Sequence, residues 1–197
     1  MRRLNLALVG VMMLVAGGCS SGGHSRAVPT TTTQPAGPNP DVVPAVITPA
    51  YVNAVFAVLE HVDGNASRTL IESKSVTPQV IADIRAIYND PLYSQEIRIA
   101  QQSRSTSSAD LLHPVGDVRI TVRAILSESP TCIFVETNSD YSAVLVKPET
   151  PAASEYWMLR LKQPGADPSR LNSTPWALSF NADFLTPTTI PNQCVAS

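Results

Sequence analysis

The stretch that follows residue 47 carries apolar side chains at intervals of three and four residues, a spacing that predicts amphipathic helices. Two Thr-Pro pairs, Thr48-Pro49 and Thr77-Pro78, are typical helix starts, because a hydroxyl can cap free N–H groups and proline in the first turn gives up no hydrogen bond. The apolar stripes of the two helices are formed by Tyr51, Val52, Val55, Phe56, Leu59 and Val62, and by Val80, Ile81, Ile84, Ile87 and Tyr88.

Turn-forming residues predict where these helices stop and start again. The triplet Asp63-Gly64-Asn65 predicts the end of the first helix, since glycine readily adopts the left-handed conformation of a helix terminus. A second helix is expected to begin at Asn65. Asp90-Pro91 indicates a further start, after which the pattern around Ile97 and Ile99 fits a helix and a strand equally.

Beyond Gly116 the apolar period changes from 3.6 to two, which predicts half-buried strands. We expect Cys132–Glu136 and Ala143–Val146 to form a hairpin around the turn residues Asn138-Ser139-Asp140. The apolar positions of the other strands are Val118, Ile120, Val122 and Ala124, then Trp157, Leu159 and Leu161, then Trp176, Leu178, Phe180 and Ala182. Helices followed by antiparallel strands predict an α+β fold with the helices packed on one face of the sheet.

The N-terminus combines Arg2 and Arg3 with an apolar run from Leu6 to Ala16 and small residues up to Cys19. This order is typical of a secretory signal peptide, and the run is shorter than the roughly 20 residues that span a bilayer. Residues 15–19 resemble the bacterial lipobox, which implies that the thiol of Cys19 receives a diacylglyceryl group and that the signal is cleaved just before it. The alternative is an ordinary cleaved signal with an incidental cysteine.

Between Ser20 and Ile47 the composition changes to Pro, Thr, Gly and Ala without apolar periodicity. Such a segment cannot bury enough surface to offset its ordering entropy, which predicts a disordered tether. The expected organisation is a lipoprotein signal peptide over residues 1–18, a Pro/Thr-rich disordered tether over residues 19–47 and a single α+β domain over residues 48–197.

The order of helices and strands, over about residues 48–185, resembles the NTF2-like superfamily. In that superfamily N-terminal helices lie against a strongly curved antiparallel sheet, a cone, and close one end of a pocket. The lipobox, the tether, the small α+β domain and the terminal cysteine together resemble a class of actinobacterial, mycobacterial-type secreted lipoproteins. The resemblance implies an NTF2-like cone domain on the outside of the cytoplasmic membrane.

Two cysteines remain in the expected domain, Cys132 on a predicted strand and Cys194 near the C-terminus. In an exported protein an even pair predicts a disulfide, which would also hold the Pro-rich tail. The alternative is two unpaired thiols. Cys19, being acylated, would not compete for either partner.

Charge and motifs exclude several classes of function. Loss of Arg2 and Arg3 with the signal reduces the 14 basic side chains to 12 against 16 acidic ones, so no nucleic-acid partner is expected. The chain contains no phosphate-binding glycine loop, no H-E-x-x-H and no C-x-x-C, and the G-x-S-x-G match that begins at Gly18 is split by the expected cleavage. His24, His61 and His113 form no cluster with carboxylates, so neither a metal nor a cofactor is expected.

Some polar and aromatic residues near the predicted elements are candidates for the lining of a pocket, because some NTF2-like enzymes use Asp, His, Tyr or Arg there. These candidates are Asp83, Tyr88, Tyr93, Arg119, Arg123 and Glu136. Strand alternation places Arg119 and Arg123 on the solvent side, and Trp157 and Trp176 are expected in the core rather than stacked on a ligand. No catalytic residue is predicted.

The sequence therefore favours an envelope lipoprotein, anchored to the cell membrane on its extracytoplasmic face, with a non-catalytic domain. Its expected partners are the membrane, through the lipid, and an envelope protein or a small apolar ligand. Two alternatives stay open. One is an enzyme that acts on a small hydrophobic substrate in an NTF2-like pocket, and the other is a subunit of a secretion or conjugation apparatus.

Overall fold

The computed structural model describes residues 37–103, 111–112, 114–147, 154–183 and 194. Within these residues three helices precede four strands, which confirms the predicted α+β class. The helices are α1 (Pro49–Ser73), α2 (Pro78–Ile87) and α3 (Leu92–Ser103), and the strands are β1 (Arg119–Ser129), β2 (Cys132–Asp140), β3 (Glu155–Leu161) and β4 (Trp176–Asp183). The strands form one open antiparallel sheet in the order β1-β2-β3-β4. None of the helices described is long and apolar enough to cross a membrane.

Helix α1 begins where the sequence predicts but continues past the predicted stop. The Thr48 hydroxyl accepts a hydrogen bond from the N–H of Tyr51 (3.2 Å), with proline in the first turn. The helix then runs through Gly64 without a break, so the predicted end at residues 63–65 and the separate helix from Asn65 are wrong. It ends at Ser73, and the left-handed residue is Lys74 (φ 49°), whose N–H donates to the carbonyl of Leu70.

Glycine is required at position 64 because Asp117 lies close to the helix there, not because the chain turns. A Cβ built on this residue would overlap Asp117 Oδ1 and lie 3.1 Å from Asp117 Cγ. Asp117 in turn accepts hydrogen bonds from Arg68 Nη1 (2.7 Å) and lies 2.9 Å from His61 Nδ1. The missing side chain therefore lets the segment before β1 dock on the middle of α1, a contact that no local pattern reveals.

We therefore expect Gly64→Ala to destabilise the wild-type protein but to stabilise a protein that lacks the Asp117 side chain. In the wild-type background the substitution should lower the free energy of unfolding by about 1–2 kcal/mol, since Asp117 must leave Arg68 and His61. In an Asp117→Ala background it should raise that free energy by about 1 kcal/mol, because alanine is the better helix former. Urea unfolding of the four proteins measures both effects. The same sign in both backgrounds would show that Asp117 is not the reason for the glycine.

Helices α2 and α3 follow the predicted start signals. The Thr77 hydroxyl accepts from the N–H of Val80 (3.3 Å), and α3 begins directly after Asp90-Pro91. The segment around Ile97 and Ile99, whose sequence pattern fits both a helix and a strand, is helical. Helix α2 packs mainly on α1, and both α2 and α3 also contact β4.

The predicted hairpin around Asn138-Ser139-Asp140 is wrong. These residues belong to β2, which pairs with β1 on one side and β3 on the other. The chain reverses instead between Ser129 and Cys132, and residues 143–146 lie outside the four strands. Ser139 stays in the strand because its hydroxyl donates to Glu155 of β3 (2.6 Å) and its backbone pairs with Ile120, so tertiary pairing overrides local turn propensity.

The sheet has an inner face, packed against the helices, and an outer face. Ile120 and Val122 of β1 are buried on the inner face, while Arg119, Thr121 and Arg123 are exposed, as their alternation predicts. The inner core is filled by large side chains from both layers. Its largest fully buried members are Trp176, Tyr51, Tyr88, Phe56, Leu59, Ile87, Ile133, Leu159 and Leu178.

The alternation predicted for β4 does not persist along the strand. The register with β3 shifts between Met158 and Leu159, which pair with Phe180 and Leu178 and leave Ser179 as the extra residue of a bulge. Trp176 and Leu178 consequently belong to the inner core, whereas Phe180 and Ala182 lie on the outer face. A strict period of two would have placed all four on one face.

The outer face carries a second apolar cluster that contains the predicted cysteine pair. Phe134 lies 6.4 Å from both Tyr156 and Phe180, measured between ring centroids. The sulfur atoms of Cys132 and Cys194 lie 2.05 Å apart at the same cluster, which confirms the disulfide predicted from the sequence.

The last residues of the predicted tether contact the domain. Val43 and Ile47 pack against the inner core, and the Ser173 hydroxyl donates to Asp41 Oδ1 (2.6 Å). Val42 and Val46, which directly precede them in the chain, are exposed. Ordered contacts therefore begin several residues before the Thr48 cap.

Candidate functional site

Three of the candidate polar residues lie on the helices or directly after them, at separate places. Asp83 is buried in α2, where it accepts from Gln79 Nε2 (2.7 Å) and burial raises the pKa of its carboxyl. Tyr88 donates its hydroxyl to Asp63 (3.1 Å). The ring of Tyr93 lies 4.4 Å from the guanidinium carbon of Arg85. These contacts stabilise the helical layer and bring no reactive groups together.

Of the three candidates on β1 and β2, Arg123 and Glu136 form an ion pair on the outer face, and Arg119 lines a groove beside α1. Arg123 Nη1 lies 3.3 Å from Glu136 Oε1, and the hydroxyl of Ser154 donates to the same carboxylate. Arg119 is exposed on β1, as predicted for both arginines. An ion pair of this kind at the surface contributes little to stability and is no pocket lining.

His61 is the one of the three histidines that the structure describes, since His24 and His113 lie outside the described residues. Its side chain is 64% exposed, and its Nδ1 lies 2.9 Å from Asp117 Oδ2. Arg68 holds the other carboxylate oxygen of Asp117 at 2.7 Å. No group of three His, Cys, Asp or Glu side chains converges as a metal site within the described part of the chain.

Both tryptophans are buried in the core, as predicted. Trp176 Nε1 donates to the hydroxyl of Tyr51 (2.8 Å), and burial raises the pKa of that phenol. Trp157 Nε1 donates to Glu155 Oε2 (3.3 Å). The two indoles therefore serve as hydrogen-bonded core residues, with their polar atoms in different environments.

A groove of about 460 Å³ lies between α1 and the edge strand β1. Its helix wall is formed by Asn53, Ala57 and Glu60, and its strand wall by residues 117–121. Asn53 Oδ1 accepts from the N–H of Val122 (2.8 Å), so this side chain takes the place of a neighbouring strand. The small side chain of Ala57 leaves space in the middle of the groove. Glu60 is only 3% exposed. The groove combines apolar and polar atoms at an open edge, a surface suited to a small ligand or a short segment of another protein.

Sequence analysis missed a polar group at the end of the inner face. Glu155, the first residue of β3, is 8% exposed and accepts hydrogen bonds from Ser139 Oγ (2.6 Å) and Trp157 Nε1 (3.3 Å) on its Oε2. The hydroxyl of Tyr141 lies 3.5 Å from Oε1. Thr137 and Ser139 of β2 are buried beside it. Its spacing could have identified Glu155, because it precedes Trp157 and Leu159 at intervals of two and therefore shares their face of β3.

The two Asn-x-Ser/Thr sequences have different structural roles. Asn172 is completely buried and its side chain makes four hydrogen bonds, so the triplet at residues 172–174 is a structural element. Asn65 is exposed on α1 and accepts from Arg68 Nη2 (2.6 Å).

Comparisons of the chain with models of protein families, with curated proteins and with solved structures give no match. A functional assignment consequently depends on the sequence pattern and on the geometry of these sites.

Proposed function

We propose that the protein is an envelope lipoprotein, anchored through Cys19 to the extracytoplasmic face of the cell membrane. The observation that carries the proposal is the N-terminal order of basic, apolar and small residues that ends at Cys19. The cysteine pairing supports it, because Cys132 and Cys194 bond to each other and Cys19 is the third cysteine of the chain. Two or more acyl chains on one residue are sufficient for stable attachment without a spanning helix.

We further propose that the domain is a non-catalytic binding or assembly module. The polar candidates lie at separate places, and the space between helices and sheet is occupied by side chains such as Phe56, Leu159 and Trp176. These observations favour binding at the surface over reaction on a substrate in an internal pocket. The groove between α1 and β1 is the surface that such binding would use.

We also propose that the domain is an NTF2-like cone and that the protein is a lipoprotein of actinobacterial origin. Helices that precede an antiparallel sheet and pack on one of its faces are what an NTF2-like cone requires. The lipobox, the tether and the terminal cysteine favour a lipoprotein of the actinobacterial type.

The proposal is tested by expression of the whole chain in an actinobacterial host, as wild type and as Cys19→Ala. Intact mass and membrane fractionation should show an acylated, membrane-bound wild type that begins at residue 19, and a Cys19→Ala protein without acyl mass in the medium. Cys194→Ala is the matched control, because it also removes one thiol but should keep the lipid and the location. Wild type without acyl mass would contradict the anchor.

The binding role is tested in the same membranes by crosslinking. Ala57→Arg fills the groove and should abolish a crosslinked species that the wild type forms, while Gln101→Arg adds the same charge at an exposed position of α3 and should keep it. Equal yields from both variants would show that the groove is not the contact surface.

A further inference from the structure

The edge of β1 that faces α1 presents backbone hydrogen-bonding groups to the groove between them. The N–H of Val122 donates to Asn53 Oδ1 (2.8 Å), so it points away from β2 and toward the helix. Backbone groups two residues apart in a strand point to the same side, and the register with β2 is regular from Arg119 to Val122. The N–H and the C=O of Ile120, which lines the groove, therefore point into it.

Asn53 also limits the length of chain that can pair at this edge. Its side chain occupies the N–H of Val122, and the register of β1 with β2 shifts directly after that residue. Regular pairing is consequently confined to residues 118–121, a stretch that matches about four extended residues or about 13 Å of chain. The groove, with its volume of about 460 Å³, suits a short extended segment and not a long strand.

The two faces of the sheet give such a segment two different environments. Ile120 is buried on the inner face, where Ala57 of α1 lines the groove with a small apolar side chain. Arg119 is exposed on the outer face. Residues directly opposite each other on neighbouring strands share a face. The residue opposite Ile120 therefore points toward Ala57, which favours an apolar side chain, and the residue opposite Arg119 lies beside its guanidinium.

Arg119 determines the charge that this second position favours. Three charged residues line the groove: Glu60 is 3% exposed, Asp117 is held in ion pairs with side chains of α1, and Arg119 is exposed. The register partner of Arg119 on β2 is Asp140. A guanidinium has five N–H donors, so Arg119 can serve a second carboxylate on its other side.

We propose that the groove binds an extended segment of a partner protein, which pairs antiparallel with Ile120 and carries an apolar residue followed by an acidic one. An antiparallel partner exchanges both backbone hydrogen bonds of Ile120 with a single residue, and its next residue lies opposite Arg119. Main-chain pairing supplies the affinity, and the two side-chain positions supply the specificity. This inference rests on the proposed binding role of the groove and adds the kind of partner.

The test titrates the full chain, labelled with ¹⁵N and solubilised in a nonionic detergent, with the blocked peptide Ser-Val-Glu-Ser. The amide proton signal of Ile120 should move downfield saturably, because its N–H gains an acceptor. A peptide that carries an N-methyl group on the valine cannot donate to the C=O of Ile120 and should bind about tenfold more weakly. Equal affinity of the two peptides would overturn the backbone pairing. N-acetylvaline amide that binds as tightly as the tetrapeptide would indicate a small-molecule site and would also overturn the proposal.

A charge exchange tests the acidic position. The wild type should bind Ser-Val-Glu-Ser about threefold more tightly than Ser-Val-Lys-Ser, and Arg119→Glu should reverse this preference. Gln101→Glu is the matched control, because it adds the same charge at an exposed position of α3, and should keep the preference of the wild type. If Arg119→Glu does not fold, Arg119→Ala takes its place and should make the two peptides equal. An unchanged preference in the folded variant would contradict the assignment of Arg119.

The variant Ala57→Arg separates this inference from the proposed function. It should bind Ser-Val-Glu-Ser at least about tenfold more weakly than the wild type, since the longer side chain fills the groove. Unchanged peptide binding by Ala57→Arg would place the peptide elsewhere and overturn the inference. If crosslinking in membranes depends on the groove but the wild type binds no peptide, the binding role stands and the extended acidic segment is refuted.

Discussion

Replacement of Asn172 by alanine should lower the free energy of unfolding by about 4 kcal/mol. The amide of Asn172 donates to the carbonyls of Ala86 (2.9 Å) and Trp176 (2.7 Å), and its Oδ1 accepts from the N–H and the hydroxyl of Thr174 (2.9 and 2.8 Å). One side chain thereby joins the end of α2 to the start of β4. Alanine would leave the carbonyl of Ala86 and the N–H of Thr174 without these partners in a site closed to water, and each such group costs about 1–3 kcal/mol.

The matched control for this prediction is Asn65→Ala. Asn65 is exposed in the middle of α1, and alanine there loses one surface hydrogen bond to Arg68 while gaining helix propensity. Its effect in urea unfolding should stay within about 0.5 kcal/mol of zero. If both substitutions had similar effects, the buried network around Asn172 would not be a major contribution to stability.

Removal of the disulfide should have an effect of similar size. The bond joins residues 62 apart, and for a loop of that length the chain-entropy model gives about 4 kcal/mol. Cys194→Ala removes the bond and leaves Cys132 in its buried position, so the measured change reports the lost cross-link rather than a cavity in the sheet. Urea unfolding at neutral pH, followed by tryptophan fluorescence, measures the difference.

Reduction provides an independent check on the same quantity. A phosphine reductant should lower the unfolding free energy of the wild type by as much as the substitution does, and it should leave Cys194→Ala unchanged. A reductant effect on Cys194→Ala would show that the loss has another cause than the bond between Cys132 and Cys194.

The features that the sequence predicts correctly are those that neighbouring residues determine by themselves. Thr48 and Thr77 cap helices because the hydroxyl and the N–H that it accepts from are three residues apart. Ile120 and Val122 alternate with Arg119 and Thr121 because successive strand residues point to opposite faces. The Cys132–Cys194 bond is an exception, because it joins residues 62 apart and was predicted from the even number of cysteines outside the N-terminal segment.

The features that sequence analysis misses are determined by residues far away in the chain. Gly64 looked like a turn residue, but its lack of a side chain accommodates Asp117, 53 positions later. Asn138-Ser139-Asp140 looked like a turn, but its pairing with residues 119–121 of β1 holds it extended. Glu155 shares the phase of Trp157 and Leu159, but the partner of its carboxylate, Ser139, lies 16 positions earlier on another strand, which no local pattern shows.

The irregular outer edge of β1 affects how the domain can associate with other chains. Its pairing with β2 shifts register twice, after Val122 and after Ile125, and the Asn53 side chain already occupies the N–H of Val122. A foreign strand that approached this edge would meet an interrupted row of donors and acceptors rather than a regular template. The domain is thereby protected against uncontrolled fibre-like self-association at the edge that lies beside its first helix.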